Sequence, residues 1–177
     1  RDAQILEDSV SNFDEKHVNI YIKVDEGKKY YIRNISWAGN TVYSSAYLEA
    51  LLGMKKGDVY NQKILGKRLN EDDDAVSNLY YNNGYVFSRI EPTEINIDGD
   101  SIDLEMRVTE GPQAYLSHVR INGNTRLYEN VVRRELRTKP GDLFSKDALM
   151  RSARELASMG HFDPEKVSPD VKPNPED

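Results

Sequence analysis

An internal repeat constrains the fold of this chain more than any other feature of its sequence. The segment 24–41 matches the segment 108–125 with a constant shift of 84 residues. Seven residues are identical in the two copies: Val24, Glu26, Gly27, Tyr31, Gly39, Asn40 and Thr41 recur as Val108, Glu110, Gly111, Tyr115, Gly123, Asn124 and Thr125. Two copies of one pattern within 177 residues predict two small units rather than one large core. A mean hydropathy of -0.72 agrees, because small units bury a smaller share of their surface.

The first half of the repeated unit predicts a strand followed by two helices. Aromatic and β-branched residues predict a strand over 30–37, and the Gly-Asn that follows predicts a turn. Apolar residues at helical spacing predict a short helix after Ser44. The same spacing predicts a longer helix over 62–83, with Gly84 as its C-terminal cap.

The second half of the unit predicts a β-hairpin. Segments 85–97 and 102–108 are its arms, and Asp98-Gly99 between them predicts a type I′ turn. Pro92 has no N–H to give to a ladder, so the first arm is predicted at a sheet edge and the second in the middle. The unit is therefore predicted to run β-α-α-β-β, which is an α+β fold.

The repeat also predicts the division of the chain. Val18, Ile20, Ile22 and Val24 alternate as the residues of 102–108 do, so residues 1–24 are predicted to be the closing hairpin of a preceding unit. Residues 25–109 form the first whole unit. Residues 110–177 repeat its strand over 114–122 and its helices over 128–137 and 145–159, but the last strand is predicted to be missing.

The residue types argue against a catalytic, metal or cofactor site. The chain has no Cys and three His that are far apart, which leaves little material for a metal centre or an activated nucleophile. The acidic run 71–74 is interpreted as a solvated helix face, and the sequence contains no phosphate-binding loop. The net charge of -6 disfavours nucleic acid as a partner. We therefore predict that the chain is not an enzyme and takes no cofactor.

The repeated strand ending in Gly-Asn-Thr, the two helices and the Gly-aromatic exit at Gly84-Tyr85 resemble POTRA modules. The order of motifs resembles the fourth and fifth modules of BamA-type outer-membrane protein assembly factors, preceded by the end of the third. This resemblance implies tandem modules, each with a three-stranded mixed sheet covered by two helices. It also implies the periplasmic portion of an outer-membrane protein, where unfolded β-barrel proteins are received and accessory lipoproteins dock. Membrane contact would come only through a C-terminal β-barrel, which this sequence does not contain.

Two sets of site residues follow. An exposed strand edge is a template for β-augmentation, in which a client polypeptide adds a strand. The predicted docking segment is Val86, Phe87, Ser88, Arg89, Ile90 and Glu91. Its alternative is an edge that Pro92, Arg89 and Glu91 protect and that is merely structural. The only tight basic group is Arg133, Arg134 and Arg137, which is either a contact for an accessory lipoprotein or a solvated helix face flanked by Glu129 and Glu135.

Three other functions compete with an assembly scaffold. A two-partner secretion transporter would use POTRA modules to recognise one dedicated substrate, but it typically has two modules, and the hairpin in residues 1–24 predicts a third. A periplasmic cell-division scaffold carries one such module, which the repeat argues against. An enzyme would need the chemical groups that the sequence lacks.

Overall fold

The computed structural model describes residues 3–12, 17–125 and 127–173, with only the backbone described at Asn12. Five strands and five helices are arranged along these ranges: β1 (Gln4–Asn12), β2 (Val18–Asp25), β3 (Tyr31–Ala38), α1 (Ser45–Leu52), α2 (Gln62–Gly66), α3 (Val76–Tyr81), β4 (Arg89–Asp98), β5 (Ser101–Thr109), α4 (Glu129–Arg134) and α5 (Lys146–Ser158). A π-helical turn follows α2, and a short 3-10 turn follows α5: Lys67–Glu71 and Pro164–Lys166. No helix in these ranges is both long enough and apolar enough to cross a membrane.

The first unit contains the predicted three-stranded mixed sheet, in the order β3-β5-β4. β5 lies parallel to β3 and antiparallel to β4, so the alternating strand is in the middle, as predicted. Ile102, Leu104 and Met106 of β5 are completely buried. Pro92 lies on the edge strand β4, where a missing N–H leaves the ladder intact.

The helices cover one face of this sheet. Ser44 caps α1 by accepting from Tyr47 N, and Gly53 ends it at a φ of 70°. The side-chain oxygen of Asn61 caps α2 by accepting hydrogen bonds from Lys63 N and Ile64 N. The core is made of apolar side chains that are at most 1% exposed: Ile32, Leu48, Leu52, Leu65, Leu69, Val76 and Tyr80. The helical segments therefore bury most of the periodic residues that predicted them, whereas Tyr47 of α1 is 51% exposed.

The prediction of one helix over 62–83 is wrong in its middle. The chain leaves helical geometry at Asp72, which has a ψ of 153°, and enters α3 after Ala75, which has a ψ of 148°. Arg68 stabilises the break, because its guanidinium donates to Leu51 O and pairs with Asp74 across it. The side chain of Asn78 donates to carbonyl oxygens that the break leaves without helical partners. Residues 72–74 of the acidic run thus form a break between helices and not a helix face, whereas Glu71 ends the π-helical turn.

The hairpin between β4 and β5 is present, but its predicted turn is one residue out of place. Asp98 pairs with Ser101, so the two-residue loop is Gly99-Asp100. Gly99 has a φ of 64°, whereas no described residue other than glycine has a positive φ, so Asp100 does not satisfy a type I′ turn. Asp98 instead belongs to the strand, where it pairs with Arg33.

β1 and β2 form a separate antiparallel hairpin at the start of the chain. The residues of β2 are exposed along the whole strand, including Val18, Ile20, Ile22 and Val24. The predicted hairpin is confirmed for 4–12 and 18–25, and positions 1, 2 and 13–16 lie outside the described residues. Its assignment to a preceding unit stays a prediction.

Over its described residues, the second unit repeats the framework of the first without the sheet. Leu116 N donates to Asp142 O at 2.8 Å, as Ile32 N donates to Asp58 O at 2.9 Å. α4 and α5 lie where helices were predicted. The predicted strand 114–122 shows only an isolated bridge at Tyr115, because no described strand pairs with it. A strand needs a partner to satisfy its backbone groups, and in the first unit β5 fills that place.

Candidate functional site

The two edges of the three-stranded sheet differ in their exposure to a new strand. Residues 57–60 cover the start of β3, since Gly57 N donates to Ile32 O and Tyr60 N donates to Tyr30 O, both at 2.7 Å. The outer side of β4 carries no paired strand among the described residues. β4 is therefore the better template for an added strand.

The structure corrects the extent of the predicted docking segment. The edge strand begins at Arg89, so Arg89, Ile90 and Glu91 lie on it, but the three residues before it do not. Val86 and Phe87 form a turn, and Ser88 N donates to Tyr85 O at 3.1 Å. Gly111 packs against this turn so closely that a Cβ there would lie 3.2 Å from Phe87 Cβ. Residues 86–88 therefore lie in a turn beside Gly111 and not in the strand.

Those three residues instead form one wall of a groove at the start of β4. The groove has a volume of about 470 Å³, and its opposite wall is formed by Asn70, Ser77 and Tyr81. Phe87 is 58% exposed beside it. The Ser88 hydroxyl oxygen is fully buried beside the groove and has no hydrogen-bond partner among the described residues.

The sequence did not identify the residues of the opposite wall. Asn70 lies in the π-helical turn and the other two lie in α3. They face the same groove because the chain breaks between these elements, and the break itself was not predicted. A pattern of apolar spacing contains no signal for a wall made of polar residues from two helices.

The second unit is fastened to the same region of the first. Ala114 N donates to Gly84 O at 2.8 Å, and Asp147 N donates to Asn82 Oδ1 at 2.8 Å. Lys146 Nζ donates to Asn78 Oδ1 at 2.8 Å and lies 5.8 Å from the centre of the Tyr81 ring. The groove wall in α3 is thus supported by contacts from the next unit.

A carboxylate ties the exit of the first unit to its own core. Glu110 accepts from Thr41 N at 2.9 Å, Thr41 Oγ1 at 2.5 Å and Val42 N at 2.9 Å, and from the Tyr80 hydroxyl at 3.2 Å. Burial opposes ionisation of Glu110, but these hydrogen bonds outweigh it and lower its pKa. Burial, followed by the charge of Glu110, raises the pKa of Tyr80. The ionised carboxylate therefore stabilises the end of β5 against the loop after β3.

The basic group in the second unit is not a free cationic patch. Arg133 pairs with Glu129 and donates to Val119 O at 3.1 Å, and Arg134 Nε lies 3.1 Å from Glu135 Oε1. Arg137 lies beyond the end of α4 and binds Glu155, with a shortest distance of 2.8 Å. The hydrogen bonds that Arg137 donates to Glu155 raise the pKa of Arg137. Each guanidinium has its own carboxylate, and contact with a lipoprotein stays a prediction.

The described residues include no group of three or more His, Asp or Glu side chains placed to hold a metal ion. The groups with shifted pKa values lie in ion pairs or in the contact between Glu110 and the core. The exposed features described in the first unit are the outer edge of β4 and the groove at its start.

Comparison with known proteins agrees with this architecture. The POTRA family model, described as a surface antigen variable number repeat, matches residues 30–111 and 114–177. The outer membrane protein assembly factor BamA of Neisseria meningitidis serogroup B is 30% identical over 165 residues, which cover 92% of this chain and 20% of that protein. BamA of Nitratidesulfovibrio vulgaris is 26% identical over 152 residues, covering 85% of this chain and 19% of that protein. The chain thus spans about a fifth of the length of these curated relatives.

A solved structure shows the same fold. The crystal structure of Haemophilus influenzae BamA POTRA3-5 matches with a TM-score of 0.72 and 25% identity, over 92% of this chain and 63% of that one. The family match covers both units, and the two curated relatives are named as outer membrane protein assembly factors. The chain therefore belongs to the POTRA family, in the form that BamA-type outer-membrane protein assembly factors contain.

Proposed function

We propose that this chain is the periplasmic polypeptide-binding and scaffold region of a BamA-like factor that assembles β-barrel proteins and inserts them into the outer membrane. The observation that carries the proposal is the exposed edge of β4, which begins at an open groove. The names of the relatives support assembly, and they do not favour the two-partner secretion alternative.

The proposed mechanism is addition of a client strand to β4. Backbone hydrogen bonds form with little regard to side chains, and strands of outer-membrane barrels share alternation rather than sequence. Because Pro92 has no N–H, its nitrogen is best placed on the outer side of the edge, and alternation then places the N–H of Ile90 outward as well. An extended client would pair along these outward groups.

The groove adds a second contact at the start of this edge. Phe87 offers exposed apolar area there. A client that enters the groove with an apolar side chain would pack against this ring. Side-chain preference at this position would then be modest, and it would come from the groove and not from β4.

One such site binds weakly by itself. Each backbone hydrogen bond contributes about 0.5 to 1.5 kcal/mol net, and ordering a flexible peptide offsets much of that. Several modules in one factor and several strands in one client raise the overall affinity through effective concentration. A scaffold that holds and releases extended chains needs no covalent step, so the proposed role is not that of an enzyme.

The remaining assignments are part of the same proposal. Residues 1–24 are the end of a third module, 25–109 are the fourth and 110–177 are the fifth. The match to a structure of three successive modules supports this division. Accessory lipoproteins are the proposed partners of the second unit.

The backbone mechanism is tested with peptides that are N-methylated at alternate positions. An NMR titration follows the amides of this chain as a peptide from a barrel strand is added. Methyl groups on the N–H groups that face β4 should abolish the shifts at 89–94, whereas methyl groups on the other set should leave them unchanged, because a strand bonds to its neighbour at every second residue. If both methylated peptides bind as the parent does, strand addition is ruled out.

The groove is tested separately by Phe87→Ser. This change should weaken peptide binding with little loss of stability, because the side chain is 58% exposed. Tyr128→Ser is the matched control, since it removes an aromatic ring that is 84% exposed in the other unit. Equal effects of the two changes on binding would mean that the groove makes no contribution.

A further inference from the structure

The groove at the start of β4 lies where an added strand would place one of its side chains. Ile90 is 7% exposed and packs in the core that the helices cover. In a paired strand, the residue directly across from Ile90 has its side chain on the same face, with the two Cβ atoms about 4.5 to 5.5 Å apart. That face opens into the groove, because Ile90 lines it together with Ser77 and Tyr81 of α3. The groove is therefore placed to receive the side chain of one client residue.

We propose that this groove is a side-chain pocket of the docking edge and that it selects a tyrosine of the client strand, at the position across from Ile90. The inference rests on the proposed addition of a client strand to β4, and it adds a side-chain preference that backbone pairing lacks. Strands of outer-membrane barrels carry aromatic residues in girdles at both membrane interfaces. Clients of this class therefore contain the side chain that the pocket would select.

The two ends of the regular edge differ in what lies above the sheet. Ile90, Pro92 and Glu94 alternate on one face of β4, and of these three Ile90 lines the groove. At the other end, Tyr60 packs against the core and its hydroxyl donates to Glu94 Oε1 at 3.0 Å. Just beyond Glu94 a β-bulge at Ile95 interrupts the ladder. A tyrosine of the chain itself thus contacts the far end of the edge, and the groove leaves room for one at the near end.

The apolar part of the groove suits an aromatic ring. Phe87 lines the groove and is 58% exposed, and Tyr81 is half-buried in the opposite wall. Aromatic rings with centres about 4.5 to 7 Å apart attract each other beyond the effect of the area they bury. Lys146 lies 5.8 Å from the centre of the Tyr81 ring and donates to Asn78 Oδ1, so this ring is held in place from the second unit. A wall that is already positioned loses less conformational entropy on binding than a flexible one.

The same wall offers polar groups to the hydroxyl at the tip of a tyrosine. Among the residues that the structure describes, neither the amide of Asn70 nor the hydroxyl of Ser77 has a hydrogen-bond partner. Asn70 is exposed in the π-helical turn, and Ser77 is 5% exposed in the first turn of α3. Both side chains can donate and accept. A phenylalanine would cover these groups without bonding to them, and the loss of their contact with water is unfavourable. The groove should therefore distinguish tyrosine from phenylalanine.

Three capped heptapeptides test the proposal. Each alternates threonine with valine and differs only at its central residue, which is tyrosine, phenylalanine or valine and lies on the face of the valines. Amide shifts at 89–94 in an NMR titration give the dissociation constants. The tyrosine peptide should bind about two- to tenfold more tightly than the phenylalanine peptide, which is the effect of one net hydrogen bond. Nuclear Overhauser contacts should place the tyrosine ring beside Ile90 and Ser77.

A variant of the groove wall tests whether the preference arises there. Asn70→Ala/Ser77→Ala should bind the tyrosine and phenylalanine peptides with equal affinity, because the polar partners of the hydroxyl are gone. Asn34→Ala/Ser9→Ala is the matched control, since it removes an exposed amide and an exposed hydroxyl from β3 and β1. It should keep the preference of the parent. Fluorescence of Trp37 during urea unfolding verifies that the first unit stays folded in both variants.

The outcomes separate the pocket from the strand addition on which it rests. Equal affinities of the parent for the tyrosine and phenylalanine peptides would overturn the pocket, as would a preference that survives Asn70→Ala/Ser77→Ala. A tyrosine ring that contacts another part of the chain would overturn it as well. In all three cases shifts at 89–94 would still support strand addition. If no peptide shifts the amides at 89–94, strand addition and the pocket both fail.

Discussion

Replacement of Gly39 by Ala should destabilise the first unit far more than its conformational cost explains. The residue has a φ of 84°, a region that costs an L-residue about 1 to 2 kcal/mol. The new Cβ would also lie 2.2 Å from Val108 O, and a backbone oxygen in the central strand cannot rotate away. Overpacking of this kind adds about 1 to 3 kcal/mol, so we expect a total loss of about 2 to 5 kcal/mol.

Gly57→Ala is the control for this prediction. Gly57 lies in the same unit with a φ of 92°, and a Cβ there would have no neighbour within 4 Å. It should therefore show only the conformational part, about 1 to 2 kcal/mol. Urea unfolding followed by fluorescence of Trp37, the only Trp and a residue of β3, measures both variants in the first unit. Equal losses for the two variants would refute the argument that Gly39 is required for the approach of β5.

Two further predictions concern the exit of the first unit. Glu110→Gln should reduce the dependence of the free energy of unfolding on pH. The folded pKa of Glu110 lies below its ordinary value of 4.5, so the ionised carboxylate stabilises the unit above pH 4.5. This stabilisation is lost as the pH falls through the folded pKa. Urea midpoints between about pH 6 and pH 3 should thus fall more steeply for the parent than for the variant, and parallel curves would contradict the assignment. Gly84→Ala should loosen the contact between units, because its Cβ would lie 2.5 Å from Leu143 Cδ1, whereas Gly160→Ala meets no neighbour within 4 Å. Residual dipolar couplings should show an altered orientation of the two units for Gly84→Ala and an unchanged orientation for Gly160→Ala.

The parts of the fold that were predicted correctly depend on local patterns with one buried face. β5 alternates strictly and is buried on alternate residues, so the pattern and the environment agree. The caps at Ser44 and Asn61 are short-range hydrogen bonds that the sequence alone specifies. The position of β4 at the edge followed from one chemical fact, the absent N–H of Pro92.

The wrong predictions involve contacts between residues that are distant in sequence. The break after α2 depends on Arg68 reaching the carbonyl of Leu51, 17 residues away. The turn at residues 86–88 is held by Gly111, which packs against Phe87. The strand predicted over 114–122 has the composition of a strand, but strand geometry also needs a partner. In each case the spacing of apolar residues described the segment itself correctly, but it gave no information about the distant residues that contact the segment.

Residues of the first unit set the direction in which the chain enters the second unit. Glu110 fixes the end of β5 on the loop after β3, and Gly111 then turns the chain at a φ of 67°. Ala114 N donates to Gly84 O directly afterwards. Pro112 restricts one torsion between these points, but the hydrogen bonds on either side fix the position of the chain. The residues that orient the second unit are therefore the ones that close the first, and Tyr81 in the groove wall is contacted by Lys146 across the same junction. The contacts that set this orientation and the wall of the groove at the start of β4 therefore share residues of α3.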